Sequence, residues 1–255
     1  MSDTYSRQHK GDRSQRRSDR PRSHNNRHES ETVQISKQLS YVLRHGAEKL
    51  GITMQTDGSV FVDELLDLDM FKRGRVTFAQ VEDIVKNCPK QRFILKQQST
   101  ATTATTAATL ASDIGGRWVI KASQGHSIKS VSAVSDGDMA IIKSASELPQ
   151  SFIVHGTNMA AWQKGIKPSG GLSKMGRNHI HFATGLPGED GVISGMRNKA
   201  NVMIYVDVDR AISDGIVFYK SANNVILTEG VNGVLASKYF TKVTDKDGND
   251  LLTAS

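Results

Sequence analysis

Over residues 201–208 the chain alternates, with Val202, Ile204, Val206 and Val208 on one face. A period of two marks a strand buried on one side, and such a strand needs antiparallel neighbours to complete its sheet. The flanking sequence supplies them. Residues 216–220 and 224–228 read as a hairpin, and 234–243 as a further strand. Upstream, strand 151–155 leads into an amphipathic helix across Met159, Ala160, Trp162 and Ile166. A Gly-rich loop at 168–171, a strand at 179–183 and a turn at 185–191 follow. The C-terminal half is therefore expected to be a mainly antiparallel sheet.

The first half has a different rhythm. Ile35, Leu39, Val42 and Leu43 recur at helical spacing, and Gly46 stands where a left-handed cap would end the helix. Arg44 and His45 then occupy the last turn, beside the negative end of the helix dipole, so a pair of C-capping cations is their plain reading. After a turn at Asp57-Gly58 come strand 59–62, helix 63–68 and a helix from Thr77. That last helix has Phe78, Val81, Ile84 and Val85 on one face and a capping box of Thr77 with Gln80. Strands 92–95 and 117–121 follow. Short helices succeeded by a β-hairpin are the parts of a winged helix, a fold that commonly binds nucleic acid. The fold class is thus α+β, in two lobes with a basic cleft between them.

Two stretches resist any periodic reading. Residues 1–31 hold Arg7, Arg13, Arg16, Arg17, Arg20, Arg22 and Arg27 among polar neighbours, and 97–112 is almost entirely Thr, Ala, Ser and Gln. Neither can bury enough apolar surface to offset its ordering entropy, so a disordered basic tail and a disordered expansion of the wing tip are expected. The tail reads as an electrostatic arm for RNA, a nuclear-import patch, or a solvated end. The boundaries that result are tail 1–31, RNA-binding lobe 32–128 with insert 97–112, second lobe 129–246, and C-terminal tail 247–255. A formal charge of +7 over 255 residues favours a polyanionic partner. Cys88 is the single cysteine, which excludes an intramolecular disulfide framework and a cysteine-based zinc site. No apolar run reaches the roughly twenty residues needed to span a bilayer. The first residues also lack the apolar core of a secretory signal, so a cytoplasmic or nuclear location is expected.

The second lobe concentrates chemistry in segments 152–157, 171–181 and 192–197. Each sets a histidine, an arginine or a small hydroxyl residue beside a glycine at the end of an apolar run, where backbone can approach a ligand closely. His179 and His181 alternate along a strand and with His155 could supply three nitrogens to a metal. Lys174, Arg177 and Arg197 crowd the same vicinity and would repel a divalent ion, so no metal is expected. Those cations suit phosphates instead. No G-x-G-x-x-G or Walker loop is present, which argues against a Rossmann or P-loop site.

SKQLSYVLRH, DGSVFVDELL, KQRF, QGHS, VHGT, GLSKMGRNHIHFA, VISGMR and NNVILTEGVNGVL stand in the order and spacing of the tRNA 2′-phosphotransferases, and the chain from Ser36 to Phe240 resembles that family. The resemblance implies a winged-helix RNA lobe followed by a lobe with the ADP-ribosyltransferase fold. It also implies consumption of NAD, without a metal, to remove the internal 2′-phosphate from spliced tRNA. Carried over by position, it implies that Arg44, His45, Arg92 and Arg197 are essential. It implies too that His155, Gly156 and Thr157 contact the nicotinamide riboside, and that Arg177, His179, His181 and Ser194 line the rest of the NAD pocket. Lys37 and Lys90 are the candidates for the RNA phosphates, and a monomer is expected.

Among these, His155 and Arg197 stand out because each adjoins a glycine and has no apolar neighbour to pack on. Bland roles remain for others: His179 and His181 as sheet residues satisfied by backbone, Thr157 as a helix cap. Lys121 and Ser123 depart from the arginine and asparagine usual in the family, and lysine cannot make a bidentate phosphate contact. A pure RNA-binding protein would leave the second lobe's histidines unexplained. An ADP-ribosyltransferase acting on protein or on phosphorylated nucleic-acid ends would keep the NAD pocket and change the acceptor; the usual catalytic glutamate of protein-modifying relatives has no obvious counterpart, Glu229 being a weak candidate.

Overall fold

The structure, a computed structural model, describes residues 24–98, 116–131, 139–186, 189, 196 and 200–252, with side chains from residue 31 onward. It is a mixed α+β chain with antiparallel sheets and two separate hydrophobic cores.

Helix α1 (His24–Tyr41) begins upstream of the apolar periodicity, and its buried side starts at Ile35 and Leu39. It runs without interruption into a π turn, Val42–Gly46. Gly46 is therefore not a left-handed cap. The tight contact is steric, because a methyl group there would sit 2.7 Å from Cε1 of Tyr41. The left-handed residue is Gly51 (φ 76°), which ends a 3-10 turn at Glu48–Leu50. Strand β1 (Ser59–Phe61) feeds α2 (Val62–Leu66), so the helix expected at 63–68 ends at Leu66, and extended backbone at Leu68 starts a further helix, α3 (Asp69–Arg73). Helix α4 (Phe78–Asn87) opens on the expected capping box: the Gln80 amide donates to Thr77 Oγ1 at 3.3 Å, and the Thr77 amide to Gln80 Oε1 at 2.9 Å. Strands β2 (Phe93–Gln98) and β3 (Arg117–Ala122) complete an antiparallel sheet of order β1-β3-β2. Gln97 and Gln98, assigned to the polar insert by composition, pair with Trp118 and Arg117 within the sheet. The rest of 97–112, and of the basic tail before His24, lies outside the described residues. Leu39, Leu43, Leu65, Phe71 and Ile120 are fully buried in this lobe's core, each stabilising it by about 1.5–3 kcal/mol.

The second core forms around β4 (Ala140–Ile142), β5 (Ile153–Thr157), β6 (Gly171–Ser173), β7 (Ile180–Phe182) and β8 (Val202–Val206). Burial along β8 alternates as the sequence predicts, but Asp207 stops the strand: its carboxylate accepts the Arg210 amide at 3.0 Å and caps a helix at Val208–Ser213. The helix expected across 159–166 is assembled from Met159–Ala161, a π turn at Trp162–Ile166, and Lys167–Ser169. Strands β9 (Phe218–Lys220) and β10 (Ile226–Thr228) form the expected hairpin. The strand expected at 234–243 is divided by a 3-10 turn into β11 (Val234–Ala236) and β12 (Phe240–Asp245), which lets the halves pair with β6 and β8 respectively. Sheets β4-β9-β10-β7 and β12-β8-β5 meet at a bridge between Val154 and Ala183. That junction brings His155 of β5 beside His181 of β7.

Candidate functional site

Arg44 and His45 occupy the π turn at the end of α1, a distortion often found where a helix serves a site. They face the segment that leaves β3. Gly125 adopts φ 94°, and the Arg44 side chain lies across it, with Cδ and Nε each 3.4 Å from where a Cβ would project. The Ser127 amide donates to the Arg44 carbonyl at 2.9 Å, and Ser127 Oγ lies 2.9 Å from His45 Nδ1. These residues are thus more than helix caps, because both are fixed to residues some eighty positions downstream.

Asn178 carries that arrangement into the second lobe. Its amide donates to the His126 carbonyl at 2.9 Å, and its side-chain Nδ2 donates to the carbonyls of Ile128 and Val131, each at 2.9 Å. Its neighbour Arg177 is thereby held near Arg44 and His45, and its neighbour His179 near His126 and His181. Electrostatics report the proximity. Burial, then repulsion from Arg177 and Arg92, lowers Arg44 to about 10, which still leaves it charged at neutral pH. Burial, then Arg177 and Arg44, depresses His45. His181 falls to about 3 through burial, with Arg177 and His179 adding to it, and His126 to about 4 through burial and then Arg44. His179 is depressed by burial, against an opposing pull from Glu229. The cluster therefore consists of neutral imidazoles among permanently charged guanidinium groups.

His155 Nδ1 lies 2.8 Å from the His181 carbonyl oxygen. A carbonyl only accepts, so Nδ1 is the donor in this contact. Contrary to the expectation that His155 lacks an apolar neighbour, its ring packs edge-on against Phe182, centroids 5.9 Å apart. Gly156 has no room for a side chain: a methyl group would lie 2.6 Å from Met196 Sδ and 2.9 Å from the Ala200 methyl. Met196, from the Ser-Gly-Met-Arg run, is thereby packed on β5. Ser194 and Arg197 of that run lie outside the described residues. Thr157 ends β5 and does not cap the next helix, a role taken by Asn158, whose Oδ1 accepts the Ala161 amide at 2.9 Å.

On the first lobe, Arg92 Nη1 donates to Cys88 Sγ at 3.4 Å. Its carbonyl accepts the Ser123 amide at 2.8 Å, and Ser123 Oγ donates to the Gln91 carbonyl at 2.7 Å. Lys90 offers its carbonyl to Asn223 Nδ2 at 3.0 Å. Lys37 is exposed on α1. Lys121 is 3% exposed, with Nζ 3.7 Å from Asp57, so both departures from the family pattern have structural occupations. Glu229 is ion-paired to Lys174 at 3.0 Å. Among the described residues, no three His, Cys, Asp or Glu side chains are grouped to hold a metal ion, and no helix is long and apolar enough to cross a membrane.

Sequence reasoning assigned no role to Ser127, Asn178 or Asn223. Their only local signal is the chance for a short polar side chain to satisfy backbone groups. Four buried polar atoms, Arg44 Nε and the Nε2 atoms of His126, His179 and His181, have no hydrogen-bond partner among the described residues. Each such group costs about 1–3 kcal/mol when left unpaired, so a polar ligand that satisfied them would recover that energy. The bland reading of His179 and His181, satisfied by backbone, does not hold for these atoms.

Comparison with known proteins gives the same direction. Residues 30–230 match the model of a family described as "RNA 2'-phosphotransferase, Tpt1 / KptA family". A Danio rerio protein named tRNA 2'-phosphotransferase 1 is 42% identical over 219 residues, 86% of this chain and 88% of its own length. The Saccharomyces cerevisiae tRNA 2'-phosphotransferase is 39% identical over 222 residues, 87% of this chain and 89% of its own. A longer relative from Schizosaccharomyces pombe is 43% identical over 225 residues, and the match spans 88% of this chain but 54% of that protein.

Proposed function

The chain belongs to the RNA 2'-phosphotransferase, Tpt1 / KptA family, and from that premise we propose that it removes the internal 2′-phosphate left in tRNA by splicing, with NAD as co-substrate. In this reading the first lobe is a winged helix that holds RNA, and the second is ADP-ribosyltransferase-like and holds NAD. The observation that carries the reading is the convergence of Arg44 and His45 from one lobe with Arg177, His179 and His181 from the other, joined through Asn178. Two polyanions must meet there. Fixed guanidinium charges suit them, while neutral imidazoles add hydrogen bonds without attracting a competing metal-like pattern of carboxylates.

The reaction needs no protein nucleophile. A 2′-phosphate oxygen bonds to the anomeric carbon of the nicotinamide ribose as its bond to nitrogen breaks, and neutral nicotinamide leaves. The ribose 2″-oxygen then bonds to that phosphorus, and its proton passes to the departing RNA 2′-oxygen. The products are 2′-hydroxyl RNA and ADP-ribose 1″,2″-cyclic phosphate. Arg44 and Arg92 would hold the phosphate, with charge stabilisation strongest when the phosphorus is attacked. His155, Gly156 and Thr157 would receive the nicotinamide riboside, and Arg177, His179, His181, Ser194 and Arg197 the rest of the site. Lys37 and Lys90 would meet flanking RNA phosphates.

The test is to incubate the protein with NAD and a short RNA carrying one radiolabelled internal 2′-phosphate. Transfer of label to a cyclic ADP-ribose phosphate is expected. Retention of the phosphate on RNA, or transfer of ADP-ribose to protein, would overturn the proposal. Glu229, the candidate glutamate for a protein-modifying reaction, is engaged with Lys174.

A further inference from the structure

Beside the arginine cluster the first lobe has a second concavity, to which the proposed reaction gives no role. Ser36 and Ser40 precede Arg44 at successive four-residue steps, so they rise along one side of α1 from the candidate site. There they border a groove of about 360 Å³ between α1 and the end of α4, a size within the roughly 300–1,000 Å³ of small-ligand sites. Val33, Ile84 and Pro89 give it apolar walls, and Lys37 and Arg92 supply positive charge. Asn87, at its edge, donates its side-chain NH to Asp83 at 2.7 Å and keeps a carbonyl acceptor. Arg92 belongs to both places, since it lines the groove and also repels Arg44.

We propose that this groove receives the base of the RNA nucleotide that bears the 2′-phosphate. The proposal rests on the function argued above. A base has apolar faces and a polar edge, and it is tethered by a few bonds to the anion that Arg92 and Arg44 attract. The groove offers the complementary set: apolar walls, the hydroxyl and amide groups of Ser36, Ser40 and Asn87, and the cations Lys37 and Arg92, of which Arg92 also neighbours Arg44. No aromatic side chain is among its lining residues, so its contact with a base is van der Waals packing against Val33, Ile84 and Pro89 in place of ring stacking.

The experiment compares binding of two fluorescent short RNAs with one internal 2′-phosphate, one intact and one abasic at that nucleotide. They are titrated with the full-length protein and with Ser36→Tyr, which fills the groove. The wild type should bind the intact RNA about tenfold more tightly than the abasic one, and Ser36→Tyr should bind both with the weaker affinity. Thermal stabilisation by NAD should be the same in both proteins. Equal wild-type affinity for the two RNAs, including no measurable binding to either, overturns the proposal whether or not the variant folds. So does a Ser36→Tyr protein that loses NAD stabilisation while retaining the RNA contrast, because the groove would then hold the adenine of the dinucleotide. Failure of the separate turnover assay would remove the 2′-phosphotransferase reading, while the affinity contrast would still decide the groove.

Discussion

Asn223 Nδ2 donates to the main-chain carbonyl of Lys90 at 3.0 Å, joining residues 133 positions apart and tying the loop before Arg92 to the second lobe. Asn223 is 1% exposed, and its Oδ1 accepts Ser221 Oγ at 2.9 Å. Asn223→Ala would take this donor from the Lys90 carbonyl at a cost of about 1–3 kcal/mol, while Ser221 Oγ keeps its bonds to Val225. The expected outcome is a lower melting temperature together with a raised KM for 2′-phosphorylated RNA and an unchanged KM for NAD. A fall in stability with both KM values unaltered would reduce Asn223 to a fold-holding role.

The lobe assignment is separable by ligand. His155→Ala removes the Nδ1 donor to the His181 carbonyl and the edge contact to Phe182, both in the second lobe. NAD affinity should drop about tenfold or more, while RNA affinity stays within about twofold. Calorimetry with NAD and anisotropy with labelled RNA measure the two independently, and parallel losses would contradict the assignment.

Ser127 positions His45 through the 2.9 Å contact between Oγ and Nδ1. Ser127→Ala should lower kcat about tenfold with little change in either KM, since the imidazole would lose its fixed orientation. Ser127→Thr, which keeps the hydroxyl, should restore most of the rate. Equal kcat in all three proteins would remove Ser127 from the mechanism.

Lys121 tests whether a departure from the family pattern matters for structure or for phosphate. Its ammonium group is buried and 3.7 Å from Asp57, whose carboxylate also accepts both the amide and the hydroxyl of Ser59. Those contacts hold Asp57 below its ordinary value against the opposing effect of burial. Lys121→Met should lower stability by about 1–3 kcal/mol, discounted because Asp57 is partly exposed, and leave turnover at low temperature nearly unchanged. A large loss of turnover in a folded variant would place Lys121 in the reaction instead.

Stability should fall on acidification. His126 and His181 titrate at about 4 and about 3 in the fold, below the 6.5 of an exposed histidine. Between those limits the unfolded chain binds more protons, so stability rises with pH across the window and is lost progressively below about 6.5, by at most about 1.4 kcal/mol per pH unit per histidine. Thermal melts from pH 7 to pH 4 should show that slope. His126→Asn should flatten it, and an unchanged slope would show that other groups dominate acid sensitivity.

Periodicity alone determined that β8 would bury Val202, Ile204 and Val206, and that α4 would open on Thr77 and Gln80. His155 and the 177–181 segment were also legible there as site candidates, because each is a local pattern of residue type beside a glycine or a strand end, whereas Arg44 and His45 read locally as helix caps and became candidates only through the family resemblance. Local pattern could not reveal that α1 would end in a π turn over Tyr41 and Gly46. Nor could it divide 234–243 between two sheets, or give Asn178 and Asn223 the carbonyls of a distant segment. Those outcomes depend on which backbone groups lack partners once both cores have packed, a condition defined only in three dimensions. The same holds for charge. The sequence counts histidines and arginines, but burial beside Arg177 and Arg44 is what makes His181 and His126 neutral while the guanidinium groups keep their charge.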